Sequence, residues 1–351
     1  MIGFASRQAL GQAIPAVAAV AVVAIAAVVT GPGLAQDYHA VLGGCGHGGH
    51  GGCDGALESF AGQDRGLRLW LGVLVIVFPA LAGMFWGAPL VARELETGTF
   101  RLAWTQSVTR TRWLAVRLAA MGLAIVCLAV LLSFIVTWWA SPLDRAGMDQ
   151  FASFDERGVA PAGYALFAFT LGGAAGALAR RTMTAMLTTL VLFVAVRVCF
   201  RTWVRPHLLR PVTDALALNP ASTGYGSAGF LPFPPAPALQ PAAPDIPNAW
   251  ITSIRIVSKH GSTLKASQLA RACPGLGRSG PHGGPAHTQA PPSVVNRLHD
   301  CVARIGTSFH EVVTYQPASR YWPLQWYELG VFVAFALVLA ALCVWLVRRI
   351  G

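Results

Sequence analysis

The stretch WLAVRLAAMGLAIVCLAVLLSFIVTWW, residues 113–139, decides the fold, and Arg117 is its single charged residue. It exceeds the about 20 apolar residues with which an α-helix crosses the hydrocarbon core of a bilayer. The whole chain agrees with it: 54% of its 351 residues are hydrophobic and 12% are charged, about half the charge of a soluble domain. The sequence therefore predicts an all-α integral membrane protein.

Five further stretches are predicted to span the bilayer: residues 14–34, 69–91, 164–179, 183–200 and 326–347. The chain then has about six transmembrane helices, with a long extracytoplasmic segment between helices five and six. Tryptophans at the predicted span ends form the expected interfacial belt: Trp70, Trp138, Trp139, Trp203, Trp322 and Trp326. The first stretch also resembles a cleavable signal peptide, with Arg7 before it and small residues at its end, and cleavage would leave five spans.

The predicted spans divide the chain into five parts. These are an N-terminal segment with the first span (1–35), an outer Gly/His/Cys loop (36–68), spans two to five with a cytoplasmic loop at 92–113 (69–200), an extracytoplasmic segment of partly low complexity (201–325), and the last span with a basic tail (326–351).

Charge in the short loops predicts the orientation. The connections around Arg7, 93–112, 180–181 and 348–349 are net positive, whereas 36–68 and 141–161 are net negative. Positively charged loops stay in the cytoplasm, so we expect both termini there and a multi-pass protein of the plasma membrane. The net charge of +11 comes mostly from arginines beside spans. This placement argues against nucleic-acid binding, which needs a basic patch on a soluble domain.

Four cysteines fall in segments predicted to lie outside, where disulfides persist. Cys45, His47, His50 and Cys53 lie within nine residues and are weak candidates for a tetrahedral zinc or copper site. The spacing is not that of a zinc finger, and its glycines make ordering of ligands costly, so a disulfide that closes a small loop is the favoured alternative. Two further cysteines, Cys273 and Cys301, are candidates for a second disulfide, whereas Cys127, Cys199 and Cys343 are predicted to be apolar packing residues.

The extracytoplasmic segment contains two stretches rich in proline or glycine, residues 231–247 and 275–292, a composition that disfavours regular structure. Apolar residues recur at helical spacing after them: Val294, Val295, Leu298, Cys301, Val302 and Ile305. This spacing predicts a short amphipathic helix within 292–311.

Catalytic motifs are absent from the sequence. Neither lysine belongs to a phosphate-binding G-x-x-x-x-G-K-[ST] loop, and H-E-x-x-H and G-x-S-x-G do not occur. The spans are poor in ionisable residues. Arg197 and Glu328 lie near predicted span ends, and we expect both at the membrane interface, with Arg197 snorkelling to the headgroups.

The cytoplasmic loop 92–113 has a residue composition that a simple connection between two spans does not require. It is densely polar and of mixed charge, with an apolar patch at Leu102, Ala103 and Trp104. Thr99 could cap a short helix that runs through Gln106. Trp and Arg are favoured anchors in protein interfaces, so the composition suits docking to a cytoplasmic partner. An interfacial helix with Trp104 among lipid headgroups is the alternative.

Three motifs give the chain, from the second span to its end, a family resemblance. RELETGTFRLAWTQSVTRTRW, residues 93–113, resembles the first cytoplasmic loop of actinobacterial ABC-2 type permeases. Arg201-x-x-x-Arg205-Pro206 resembles the exit of their fifth span. Residues 313–322, followed by Gln325 and Glu328, resemble the lead-in to their last span. The N-terminal segment is shorter than in that family, and the Gly/His/Cys loop is not typical of it.

The resemblance implies a coupling helix within 96–106 that fits a cleft on a soluble ABC ATPase subunit. Glu94 and Glu96 would hold the geometry of the loop or meet basic residues of the ATPase. The remaining implied coupling residues are Gly98, Thr99, Arg101, Trp104 and Gln106. In span four, Gly172-x-x-x-Gly176 allows close helix packing, within a protomer or between two.

The implied function is the permease subunit of an ATP-driven exporter for an amphipathic or hydrophobic substrate. It would work as two permeases, identical or related, with two ATPases; ATP and Mg²⁺ would be bound by the partner, and no cofactor by this chain. A membrane-anchored sensor acting through 201–325 is the alternative. A metalloenzyme that uses His47 and His50 is disfavoured, because the spans offer no carboxylate base.

Overall fold

A computed structural model describes residues 2–45, 53, 56–57, 59–60, 62, 65–97, 110–146, 149–217, 246, 248–264, 300 and 303–350. The chain forms two compact units. The first comprises Met1–Leu209 and Ser319–Gly351, and the second comprises Arg210–Ala318.

The first unit is helical. Its helices are α1 (Ile2–Cys45), α2 (Arg65–Ala82), α3 (Ala88–Thr97), α4 (Arg110–Arg145), α5 (Ala160–Ala179), α6 (Thr182–Cys199), α7 (Arg205–Leu208) and α8 (Tyr321–Ile350). Two π-helical turns, Gly83–Gly87 and Phe200–Val204, join α2 to α3 and α6 to α7.

Six helical segments are long and apolar enough to cross a membrane, which confirms the predicted fold class. In chain order these spans are Val20–Gly44, Gly66–Glu96, Leu114–Arg145, Ala160–Ala179, Thr182–Leu208 and Ala318–Arg349. The predicted first span, 14–34, ends too early. Its helix continues to Cys45, and Tyr38 packs against Phe60 at a ring-centroid distance of 6.0 Å. The helix and its aromatic packing thus continue beyond the predicted apolar run.

Span four is the centre of the bundle, and nearly all of its residues are buried. Its sequence is rich in alanine and glycine, and small side chains let neighbouring helices approach closely. A Cβ atom on Gly172 would lie 2.2 Å from the carbonyl oxygen of Gly83, and one on Gly176 would lie 2.5 Å from that of Ala88. Both glycines of the predicted packing motif thus face span two of the same chain.

Span one lies along span three. The indole nitrogen of Trp139 donates a hydrogen bond of 2.9 Å to the hydroxyl of Thr30, which in turn bonds the carbonyl of Ala26. Gly31 lies against the ring of Trp138, since a Cβ atom there would be 3.1 Å from that ring. The first helix is thus held to the bundle by polar as well as apolar contacts.

The second unit contains a three-stranded sheet that the sequence analysis did not predict. Its strands are β1 (Val212–Ala217), β2 (Trp250–Ser258) and β3 (Phe309–Gln316). All pairs are antiparallel in the order β1-β3-β2. Within 292–311, where a short helix is predicted, residue 300 and residues 303–306 are helical, and β3 begins at Phe309. Residues 292–299, 301 and 302 lie outside the described residues.

Candidate functional site

A cluster of charged side chains lies where spans four, five and six meet the loop between spans three and four. We call it the charge cluster and define it as Asp155, Tyr164, Arg197, Arg205 and Glu328. Asp155, Tyr164, Arg205 and Glu328 are buried, and the side chain of Glu328 is 0% exposed. The side chain of Arg197 is 14% exposed. Two carboxylates and two guanidinium groups taken out of water need a dense set of hydrogen bonds to compensate for their lost hydration.

Glu328 of span six accepts four hydrogen bonds within the charge cluster. Its Oε2 atom accepts from Nε of Arg205 at 2.8 Å. Its Oε1 atom accepts from Nη2 of Arg205 at 2.9 Å, from Nη1 of Arg197 at 3.2 Å and from the hydroxyl of Tyr164 at 2.6 Å. The paired contacts from Arg205 give the forked geometry that strengthens an arginine–carboxylate pair.

Asp155 of the loop closes the cluster from the other side. It accepts hydrogen bonds from Nη2 of Arg197 at 2.9 Å and from Nη2 of Arg205. Arg201, which is largely exposed, forms an ion pair with it at 3.3 Å. Burial opposes its ionisation, but Arg205 and Arg197 outweigh that effect and lower the pKa of Asp155 to about 2. The carboxylate is therefore charged at every physiological pH.

The π-helical turn explains why Arg197 and Arg205 point the same way. They are eight residues apart, which in an uninterrupted α-helix would separate them by about 80° around the axis. The turn Phe200–Val204 accommodates one extra residue, which brings Arg205 back to within about 20° of Arg197. Both guanidinium groups thus reach the same two carboxylates, whereas Arg201 points outward.

Aromatic rings pack around the guanidinium groups. Cζ of Arg197 lies 3.4 Å from the ring centroid of Tyr164, and Cζ of Arg205 lies 4.4 Å from that of Phe154. Phe332, which is fully buried, contacts the ring of Tyr164 at 4.9 Å. These cation–π contacts stabilise cations that have lost their water.

The structure corrects the interfacial interpretation of Arg197 and Glu328. Each side chain binds charged partners inside the bundle, so neither depends on lipid headgroups for a counter-charge. Asp155 was missed, since its role depends on contacts more than 40 residues away along the chain. The family resemblance drew attention to Arg205 and Glu328 but did not predict that they bind each other. The sequence signal that could have indicated buried acidic partners was the number of arginines near the end of span five.

Gln325 of span six binds the loop between spans three and four, at the end of the bundle that contains the charge cluster. Its Oε1 atom accepts a 2.8 Å hydrogen bond from the backbone nitrogen of Ala160, the first residue of α5. Its Nε2 atom donates to the carbonyls of Phe154 at 2.9 Å and Arg157 at 3.1 Å. Gly158 has a φ of +77°, and a Cβ atom there would lie 2.8 Å from the Gln325 amide. The loop is therefore fitted around this side chain.

The two described glutamates of the predicted coupling loop lie at the opposite end of the bundle. Glu94, in α3, accepts a hydrogen bond from Arg117 of α4. Glu96 accepts from the backbone nitrogen of Thr182 at 3.1 Å and from its hydroxyl at 2.7 Å. Because Thr182 begins α6, Glu96 also places a negative charge at a helix N-terminus, where it is favourable.

The other predicted site residues fall mostly outside the described part of the chain. These are His47, His50, Gly98, Thr99, Arg101, Trp104, Gln106, Cys273 and Cys301, and the side chain of Cys45. The pairing of the four loop cysteines stays a prediction. In the span regions Cys343 is buried as predicted, whereas Cys127 and Cys199 are exposed. Among the described residues no three metal-ligating side chains come together.

The fold and the two sets of contacts define a class: a multi-pass helical membrane protein whose spans are tied by polar contacts at both ends. The chain belongs to the ABC-2 membrane transporter related family, whose model matches residues 17–205, more than half of the chain. Membership supports an ABC transporter permease, a transmembrane subunit that typically has no enzymatic activity of its own. Comparisons with curated proteins and with solved structures give no match.

Proposed function

We propose that this chain is the permease subunit of an ATP-driven exporter that moves an amphipathic or hydrophobic substrate across the plasma membrane. A separate ABC ATPase binds ATP and Mg²⁺ and drives the cycle. Both termini and the Glu94–Glu96 end of the bundle lie in the cytoplasm in this proposal. A second permease copy, identical or related, completes the pathway between two protomers.

The observation that carries the proposal is the anchoring of the predicted coupling loop. α3 ends at Thr97 and α4 begins at Arg110, so the helix ends one residue after Glu96. Glu96 is bonded to the first residue of span five and Glu94 to span three. A loop that merely connects two spans needs no such ties. A force on this loop would reach spans two, three and five together.

Within the loop, Gly98 and Thr99 begin the proposed coupling helix. Arg101, Trp104 and Gln106 provide the contact with the ATPase, since buried Trp and Arg side chains carry much of the binding energy in protein interfaces. The ties of Glu94 and Glu96 within the chain favour a role in holding the loop over direct contact with the ATPase.

Co-purification tests the proposal. The detergent-solubilised chain is purified with the ABC ATPase encoded nearest to it, as wild type and as Trp104→Ala with Arg101→Ala. We expect wild type to retain the ATPase and the double variant to lose it, with unchanged elution and melting temperature. Trp326→Ala, an exposed tryptophan on the last span, is the matched control. Equal retention by all three proteins, or none by wild type under conditions that preserve its fold, would count against the proposal.

A sensor function remains the second candidate, because the second unit has its own sheet. Glu311 on β3 is buried, and its Oε1 atom has no hydrogen-bond partner among the described residues. Burial raises the pKa of this carboxyl group. A ligand-sensing role predicts that a compound shifts the melting temperature of the full chain without any ATPase, and that Glu311→Gln removes the shift. An exporter role predicts that Glu311→Gln leaves retention of the ATPase unchanged.

A further inference from the structure

Span five presents a continuous apolar stripe that no other described helix covers. Leu187, Val191, Val194 and Val198 recur at intervals of four, three and four residues, which places them on one helix face. All four are exposed in the bundle. In a membrane protein such a stripe faces the lipid chains.

Arg201 lies three residues after Val198, on the same face of the helix as this stripe. Its side chain is 63% exposed, and it lies seven residues before Leu208, where the span ends. Trp203, two residues further along, is 76% exposed. A guanidinium group and an indole ring at the end of a lipid-facing stripe lie at headgroup depth.

The neighbouring carboxylates do not neutralise Arg201. Asp155, its ion-pair partner, is already shared by Arg197 and Arg205, and Glu328 is bound by the same two arginines. Among the described ion pairs of this cluster, the three arginines Arg197, Arg201 and Arg205 share the two carboxylates of Asp155 and Glu328.

Glu156 is a further acid near Arg201, but other arginines share it. Glu156 lies close enough to Arg157, Arg68 and Arg201 to interact with each of them. Burial raises the pKa of its carboxyl group above the ordinary value, and any charge that it carries is shared among these three arginines. One exposed guanidinium group therefore faces the lipid headgroups without a full counter-charge from the protein.

We propose that Arg201 binds the phosphate of an anionic phospholipid headgroup, in the leaflet that surrounds the Asp155 end of the bundle. A guanidinium group matches a phosphate in charge and in hydrogen-bond geometry. The acyl chains of the same lipid would lie along Leu187, Val191, Val194 and Val198, and Trp203 would lie beside the headgroup. This site is independent of the transported substrate and of the ATPase.

The test measures lipid binding by the full chain, delipidated in a neutral detergent. Phosphatidylglycerol, phosphatidylcholine or inorganic phosphate is added to wild type and to Arg201→Gln, Arg201→Lys and Arg304→Gln. Bound lipid is counted by native mass spectrometry, and the melting temperature is recorded in parallel. Arg304 is an exposed arginine of the second unit, outside the six candidate spans, so its variant matches the change in charge.

We expect phosphatidylglycerol to bind wild type more tightly than phosphatidylcholine. Arg201→Gln should weaken its binding about fivefold, the effect of one basic side chain at a charged membrane surface. Arg201→Lys should retain part of the preference, and Arg304→Gln all of it. The proposal is overturned if Arg201→Gln keeps the preference, if both lipids bind wild type equally, or if inorganic phosphate alone reproduces the stabilisation.

Discussion

The Nε atom of Arg205 lies 2.8 Å from Oε2 of Glu328, although 123 positions separate the two residues in the chain. This contact joins the end of span five to span six inside the bundle. Tyr164 adds span four through its own hydrogen bond to Glu328, and Asp155 adds the loop. One set of charges therefore holds four segments together where the apolar surfaces of the spans end.

Removing one charge from this set should destabilise the protein strongly. Glu328→Gln leaves Arg197 and Arg205 with a single carboxylate, and breaking a buried ion pair from one side costs about 3–5 kcal/mol. We expect that loss in the free energy of unfolding, measured by SDS titration in mixed micelles. Arg201→Gln is the control; it removes an exposed charge and should cost less than about 1 kcal/mol. Similar losses in both variants would contradict the buried cluster.

The pH dependence of stability follows from Asp155. Its pKa is lowered to about 2 from an ordinary value of 3.8, so its contribution is present above about pH 4 and is lost as the pH falls towards 2. Asp155→Asn should therefore lower the melting temperature by the same amount at about pH 5 and about pH 8. A difference that disappears by pH 5 would mean that Asp155 is not held by the two arginines.

Gln325 gives a prediction about the loop between spans three and four. Gln325→Leu removes the partner of Ala160 nitrogen and of two carbonyls, and each buried backbone group left without a partner costs about 1–3 kcal/mol. Unfolding titrations should show that loss, and hydrogen exchange should speed up in residues 149–160. Trp326→Leu changes the adjacent, exposed residue and should leave exchange in this loop unchanged. Equal exchange in both variants would rule out the role of Gln325.

Span four gives a prediction about packing. A Cβ atom on Gly172 would lie 2.2 Å from the backbone oxygen of Gly83, whereas one on Gly330 would meet nothing within 4 Å. Gly172→Ala should therefore separate spans two and four and lower the melting temperature. Gly330→Ala should leave it unchanged or raise it, because alanine favours a helix over glycine by about 1 kcal/mol. A harmless Gly172→Ala would show that spans two and four are not in close contact.

Hydropathy was enough to predict the six spans, because crossing a bilayer imposes a length and an apolar composition on each of them. It could not give the end of the first helix, which continues past the apolar run to Cys45 and there packs Tyr38 against Phe60. The sheet was missed for a related reason. Proline-rich and glycine-rich stretches dominate the segment, although Ile251, Ile254 and Ile256 mark β2.

Local sequence patterns could not predict the charge cluster. Arg197 and Glu328 look interfacial when each is considered alone, since their partners lie in other spans. The spacing of Arg197 and Arg205 adds to the difficulty, because eight residues do not share a helix face unless a π-helical turn intervenes. Resemblance drew attention to Arg205, Gln325 and Glu328, but the contacts among them required the three-dimensional structure.

The most direct test of the proposed function is ATP hydrolysis by the chain reconstituted with its ATPase in proteoliposomes. Glu96→Ala removes the tie between the loop and Thr182 but leaves residues 98–109 intact. We predict that this variant still binds the ATPase and loses the permease-dependent change in ATP hydrolysis. Met183→Ala, beside Thr182 and 82% exposed, should behave as wild type. Hydrolysis that is the same in Glu96→Ala, Met183→Ala and wild type would contradict coupling through this loop.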